Sequence, residues 1–230
     1  MSNNGPAVQE LERQLALFLH VKHCIAMSNG FTAICLALHV LSIPKKKEII
    51  VSPLTYRRMA DIIDWAGLTP CFCDVDPQTQ AISPQTAELC INDNTAGILA
   101  PHPRVHLCDI SGMESIAKKY KLPLIFDSVE ACGATYKGVP LGGFGNCEVF
   151  SMHADKVINA CEGGYITTND DILARKLKIV RAFGFSGRDR IECLGYNAKL
   201  NELHAAMALA SFINICLLYT SPSPRDRSLS

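Results

Sequence analysis

The chain has 230 residues, of which 48% are hydrophobic and 19% charged, a balance that excludes a wholly disordered polymer and suggests one large domain or one and a half. Basic and acidic residues both number 22, so the net charge is zero and the basic excess of a nucleic-acid binder is missing. No stretch reaches the roughly 18 apolar residues of a membrane span, and the polar start of the chain lacks the layout of a signal peptide, so neither nucleic acid nor membrane is expected as a partner.

In chain order, Asn4-Gly5-Pro6 opens a helix through Val8, Leu11, Leu15 and Phe18. A strand over 23–27 turns at Ser28-Asn29-Gly30 into a helix with Ile34, Leu38 and Leu41 on one face. A solvated turn at Lys45-Lys46-Lys47, beside Pro44, leads to a strand over 48–51. Next come a helix over 56–66 with Gly67 at its C-terminal stop, and strands over 70–73, 97–100 and 122–126. Helices near 86–91 and over 110–120 alternate with them. Strands over 147–151 and 164–167 and helices over 170–183 and 199–215 complete the pattern. This alternation predicts an α/β domain with a mostly parallel sheet between helices. Ligands in such sheets bind beyond the carboxyl ends of the strands, which singles out Ser28 to Gly30, Tyr56, Asp127 and Ser151.

The 11 cysteines form no C-x-x-C pair. Cys24, Cys35, Cys71, Cys73 and Cys161 lie in apolar runs and read as small buried hydrophobes, which predicts a reducing, cytoplasmic location and no metal site. The end of the chain differs in kind. Residues 220–230 read TSPSPRDRSLS, with no core face. Either this is a disordered tail, or CLLYTSPSPRD at 216–226 is the translation of a sequencing adapter. The expected division is a domain over 1–215, incomplete at both ends, and a non-native or disordered tail over 216–230.

Four segments carry chemistry. In Phe150-Ser151-Met152-His153-Ala154-Asp155-Lys156, a lysine leaves a strand end in an otherwise apolar, glycine-rich stretch. A lone lysine is usually a surface charge, but desolvation there makes its amine nucleophilic. Leu124-Ile125-Phe126-Asp127 delivers a carboxylate at a strand end, either as a helix cap or as a partner for a pyridinium nitrogen. Ser28-Asn29-Gly30 opens a helix whose backbone N–H groups suit an anion, although any strand–helix turn shares this look. Tyr56 is either a core aromatic or a flat face for a ring.

Taken together, these are the parts that hold pyridoxal 5'-phosphate (PLP). The chain resembles the PLP-dependent sugar-nucleotide aminotransferases of the DegT/DnrJ type through SNG, DVDP at 74–77, FDSVEACGATYKG at 126–138, FSMHADKVINACEGG at 150–164 and GYNAKLNELHAA at 195–206. The resemblance runs from about Asn3 to about Ser211. It implies the type I transferase fold, with the small C-terminal domain largely missing. It also implies that Lys156 is the Schiff-base lysine and proton shuttle, Asp127 holds the pyridine nitrogen protonated, and Tyr56 stacks on the ring. Glu130 takes the place of a residue, usually Gln, near the ring hydroxyl. Ser151 and the backbone at Phe31 and Thr32 bind the phosphate, and Asn197 reaches the phosphate of a neighbouring subunit, which implies a homodimer. The reaction implied moves an amino group from glutamate onto a keto group, at C4, of a nucleotide-linked deoxy sugar, for polysaccharide or antibiotic pathways.

Three departures stand out. Phe31 replaces a usual Thr, so that the hydroxyl comes from Thr32 or the contact is lost, and Arg104-Val105 replaces a common Tyr-Gly. The family's opening segment before Asn3 is also missing. Lys156 argues against the sugar dehydratases of this fold, which carry His there, while a non-catalytic regulatory or interaction protein is the alternative.

Overall fold

The computed structural model describes residues 4–103 and 106–220, and for 214 and 216–220 the backbone alone. Asn3, the Arg104-Val105 departure and the tail over 221–230 lie outside the described residues. The elements run α1 (Pro6–Phe18), β1 (His23–Met27), α2 (Gly30–Leu41), β2 (Glu48–Val51), α3 (Met59–Trp65), β3 (Thr69–Phe72), α4 (Pro84–Glu88) and β4 (Thr95–Pro101). They continue with α5 (Ile110–Tyr120), β5 (Leu124–Asp127), β6 (Thr135–Tyr136), β7 (Val139–Pro140), β8 (Cys147–Ser151), β9 (Gly164–Thr168), α6 (Asp171–Arg181) and α7 (Glu202–Thr220).

Seven strands form one sheet in the order β1-β9-β8-β5-β4-β2-β3. The run from β8 to β3 is parallel, and β9 alone is antiparallel to its neighbours β1 and β8. Side chains alternate between two buried layers, as a strand period of two requires. Ile50, Ile98, Ala100, Leu124 and Phe126 pack with α1, α5 and α7, whereas Ile49, Leu99, Ile125 and Val149 pack with α2, α3 and α6. Every residue of β4 is buried, as expected for a parallel strand covered on both faces.

Two distant contacts tie the ends of the chain together. The α1 N-terminus has no side-chain cap of its own. Instead, the Glu202 carboxylate at the start of α7 accepts from the N–H groups of Gly5 (2.9 Å), Ala7 (2.9 Å) and Val8 (3.3 Å). Buried Arg181, in the last turn of α6, pairs with Glu12 of α1 and donates to the Ala26 carbonyl at 2.8 Å.

The structure corrects the sequence reading in four places. Tyr56 precedes α3 rather than starting it, because its carbonyl accepts from Met59 N–H in a turn ahead of the helix. α7 begins at Glu202, not at 199, because Lys199 bridges to Met27 instead. Its backbone stays helical to Thr220, past the expected stop at 215. Cys161 is exposed rather than buried, on a left-handed turn (φ 62°) ahead of β9, and Cys71 is only half-buried.

Candidate active site

The carboxyl ends of β4, β5 and β8 open into a cleft of about 960 Å³, walled on other sides by the start of α2 and by residues 53–57. Asp127, Ser151, Lys156, Glu130, Tyr56 and Phe31 all line it. Thr32 and Asn197 do not.

Asp127 ends β5 and is 2% exposed. Its Oδ1 accepts from Val129 N–H at 3.2 Å, a local turn contact and not a helix cap. Burial is the main cause that pushes its carboxyl up to about 6, with nearby Glu130 adding to the rise and Lys156 opposing it. A cation brought against Asp127 reverses that balance and keeps it ionised.

Lys156 sits on the loop after β8, with only 13% of its side chain exposed. Its Nζ donates to Glu130 Oε1 at 2.6 Å and to Asp155 Oδ2 at 3.4 Å. Asp155 is held below the usual carboxylate range, chiefly by a hydrogen bond with His153 Nδ1 (2.8 Å). Lys156 is therefore an anchored amine inside the cleft and not a free surface charge.

The anion-binding end is built by α2. Asn29 is its N-cap and accepts from Thr32 N–H at 2.8 Å. The Thr32 hydroxyl bonds back to Asn29 Oδ1 (2.9 Å) and pairs with Ser28 Oγ (2.9 Å), so it braces the turn and is no part of the cleft wall. Phe31 supplies the wall, and Asn29, Gly30 and Ser151 line the space beside it at the N-terminus of α2. Gly164, opposite, permits this approach: a Cβ there would stand 2.7 Å from Asn29 C and Gly30 N. Tyr56 is 53% exposed, which removes it from the core and leaves its ring as a wall of the cleft. Asn197 is exposed and accepts from Lys199 Nζ at 2.8 Å.

Sequence reasoning missed Gln80, His153, Glu162 and His102, which also line the cleft. His102 follows β4, is 3% exposed and stacks on Phe126 with ring centroids 5.2 Å apart. Its Nδ1 accepts from Cys108 N–H at 3.3 Å, and burial holds the ring down to about 4, so it is neutral at pH 7. Pro101-His102 follows the strand over 97–100 with no sequence signal to mark it.

The arrangement matches a known family. The DegT/DnrJ/EryC1/StrS aminotransferase family profile covers residues 1–217. This chain belongs to that family. It is 37% identical over 212 residues to GDP-perosamine synthase of Caulobacter vibrioides, covering 91% of this chain and 57% of that protein. It is 34% identical over 209 residues to the Pleiotropic regulatory protein of Geobacillus stearothermophilus, covering 90% of this chain and 56% of that one. The crystal structure of DesI in the presence of its TDP-sugar product superposes with a TM-score of 0.86 at 33% identity, covering 93% of this chain and 54% of that chain. The chain thus spans little more than half the length of these proteins. Aminotransferases of this family use PLP.

The cleft fits that cofactor. Asp127 is a carboxyl raised by burial, Lys156 is an amine held inside the wall, and Tyr56 offers an uncovered ring. No helix of the described residues is long and apolar enough to cross a membrane.

Proposed function

We propose that this chain is the PLP-binding large domain of a sugar-nucleotide aminotransferase. The observation that carries the reading is the convergence of Lys156, Asp127 and Tyr56 in one cleft beside the N-terminus of α2. Bound there, PLP supplies an aldehyde carbon and an electron-withdrawing pyridinium ring.

The protein's own groups divide the remaining work. Lys156 Nζ is the nucleophile and the group that carries a proton between donor and acceptor carbons. The Asp127 carboxylate holds a proton on the ring nitrogen. Glu130 faces the ring hydroxyl from beside Lys156 Nζ. The Tyr56 ring orients the plane, and Ser151 with the N–H group of Phe31 binds the phosphate, while Thr32, whose N–H is taken by Asn29 Oδ1, braces the turn. Asn197, exposed beyond the cleft, serves the phosphate of a second copy in a homodimer. Glutamate is the amino donor, and the acceptor is a nucleotide-linked deoxy sugar with its keto group at C4. Relatives named as a GDP-perosamine synthase and as a dTDP-4-amino-4,6-dideoxy-D-glucose transaminase support that substrate class. A boundary near 215, with a non-native tail beyond, belongs to the same reading.

The test is borohydride reduction of purified protein with PLP, followed by peptide mass mapping. Attachment at Lys156 supports the reading. Protein that stays colourless and unlabelled rejects it. A second reading, a non-catalytic regulatory protein, draws on the relative named as a Pleiotropic regulatory protein. It predicts no label at Lys156 and no amino transfer from glutamate to a 4-keto sugar nucleotide.

A further inference from the structure

Glu148, in β8, is fully buried and forms no part of the cleft wall. A buried carboxylate is costly unless its oxygens are satisfied. Here Oε1 accepts from the N–H groups of Gly142 (2.6 Å) and Phe144 (3.0 Å), and Oε2 accepts from Ser128 Oγ at 2.6 Å. Burial pushes the carboxyl up, and these hydrogen bonds pull it back.

Ser128 is the hub of the turn after β5. Its N–H donates to the Val149 carbonyl at 2.9 Å, and its carbonyl accepts from Ala131 N–H at 2.9 Å. Asp127 precedes it and Glu130 follows two residues later, both in the cleft. Through one hydroxyl, Glu148 therefore joins the 142–144 loop to the turn that presents two cleft carboxylates.

We propose that Glu148 is a positioning residue that, acting through Ser128, sets Asp127 and Glu130 against the bound cofactor. The part concerning cofactor rests on the function proposed above. The geometry also states which substitutions work. In Glu148→Gln, the amide oxygen still accepts from Gly142 and Phe144, and the amide N–H donates to Ser128 Oγ. Glu148→Ala loses all these links. Ser128→Ala keeps the loop and loses only the link to the turn.

The experiment measures amide hydrogen exchange at Val129 and Ala131, thermal midpoint, and PLP affinity in the three variants. Ser128→Ala is expected to speed exchange at those amides and weaken PLP binding, each about tenfold, with a small fall in thermal midpoint because Glu148 Oε2 loses its donor. Glu148→Gln should match wild type, and Glu148→Ala should resemble Ser128→Ala with a lower midpoint. Wild-type exchange in Ser128→Ala overturns the proposal, as does a Gln variant no better than Ala. If the unsubstituted chain binds no PLP, the cofactor reading fails, and exchange at Val129 and Ala131 still decides the positioning role.

Discussion

Lys156 Nζ lies 2.6 Å from Glu130 Oε1, so the turn after β5 and the loop after β8 meet through one charge-assisted hydrogen bond inside the cleft. The contact holds the amine in the same cleft that Asp127 and the first turn of α2 line. Under the proposed function, Glu130 orients the amine that would do the chemistry.

Lys156→Ala should abolish covalent capture of PLP and reduce amino transfer to background, while noncovalent binding persists through Tyr56, Ser151 and α2. Mass mapping after borohydride reduction, alongside an absorbance titration, checks both halves. Label appearing at another lysine in the unsubstituted chain would move the assignment away from Lys156.

Asp127→Asn should stabilise the cofactor-free fold and weaken PLP binding. The carboxyl sits at about 6 when folded, above an ordinary aspartate near 4. The folded state therefore holds its proton more tightly than the unfolded chain. Stability from this group is full below about pH 4 and is lost as pH rises through about 6. At pH 7 the substitution should gain on the order of 2 kcal/mol, and the gain should vanish below about pH 4. Denaturant melts across that range test the sign.

Tyr56 separates binding from folding, because its ring is half exposed. Tyr56→Ala should change stability by less than about 0.5 kcal/mol. It should weaken PLP binding by about 1 kcal/mol, with Tyr56→Phe close to wild type. A large fall in thermal midpoint would return this residue to the core.

Gly164→Ala should couple the sheet to the anion site. The added Cβ meets main-chain atoms of Asn29 and Gly30 at 2.7 Å, and backbone cannot swing aside as a flexible side chain does. We expect a loss of about 1–3 kcal/mol and weaker binding of phosphate-bearing ligands. Inorganic phosphate and PLP titrations on the same protein measure the second effect.

Much of this was legible in the sequence because the strands are short apolar runs and α1, α5 and α6 are amphipathic. β1, β2, β8 and α5 fall where periodicity puts them, and the rule of strand carboxyl ends found Asp127 and Ser151. Direction of side chains was not legible. Thr32 carries the right hydroxyl, but Asn29 and Ser28 claim it, which a linear sequence does not show. Cys161 reads as a small buried hydrophobe, yet it is exposed on a left-handed backbone turn. The β6–β7 hairpin, with Lys137 and Gly138 both at positive φ, is too short to leave a periodic trace. Glu148 and His102 are buried polar groups that tertiary partners satisfy or enclose, and their residue types alone predict the surface.

The cap of α1 by Glu202 sets an order on biosynthesis. The first helix emerges from the ribosome with its leading N–H groups unclaimed, and the carboxylate that claims them is made 195 residues after Ala7. Until then a 13-residue helix has only water at its start and is marginal by itself. α1 must stay docked loosely, or wait, while the sheet is translated. Closure of the molecule is thus a late, long-range event, so truncations ahead of residue 202 should leave α1 frayed even though its own sequence is intact.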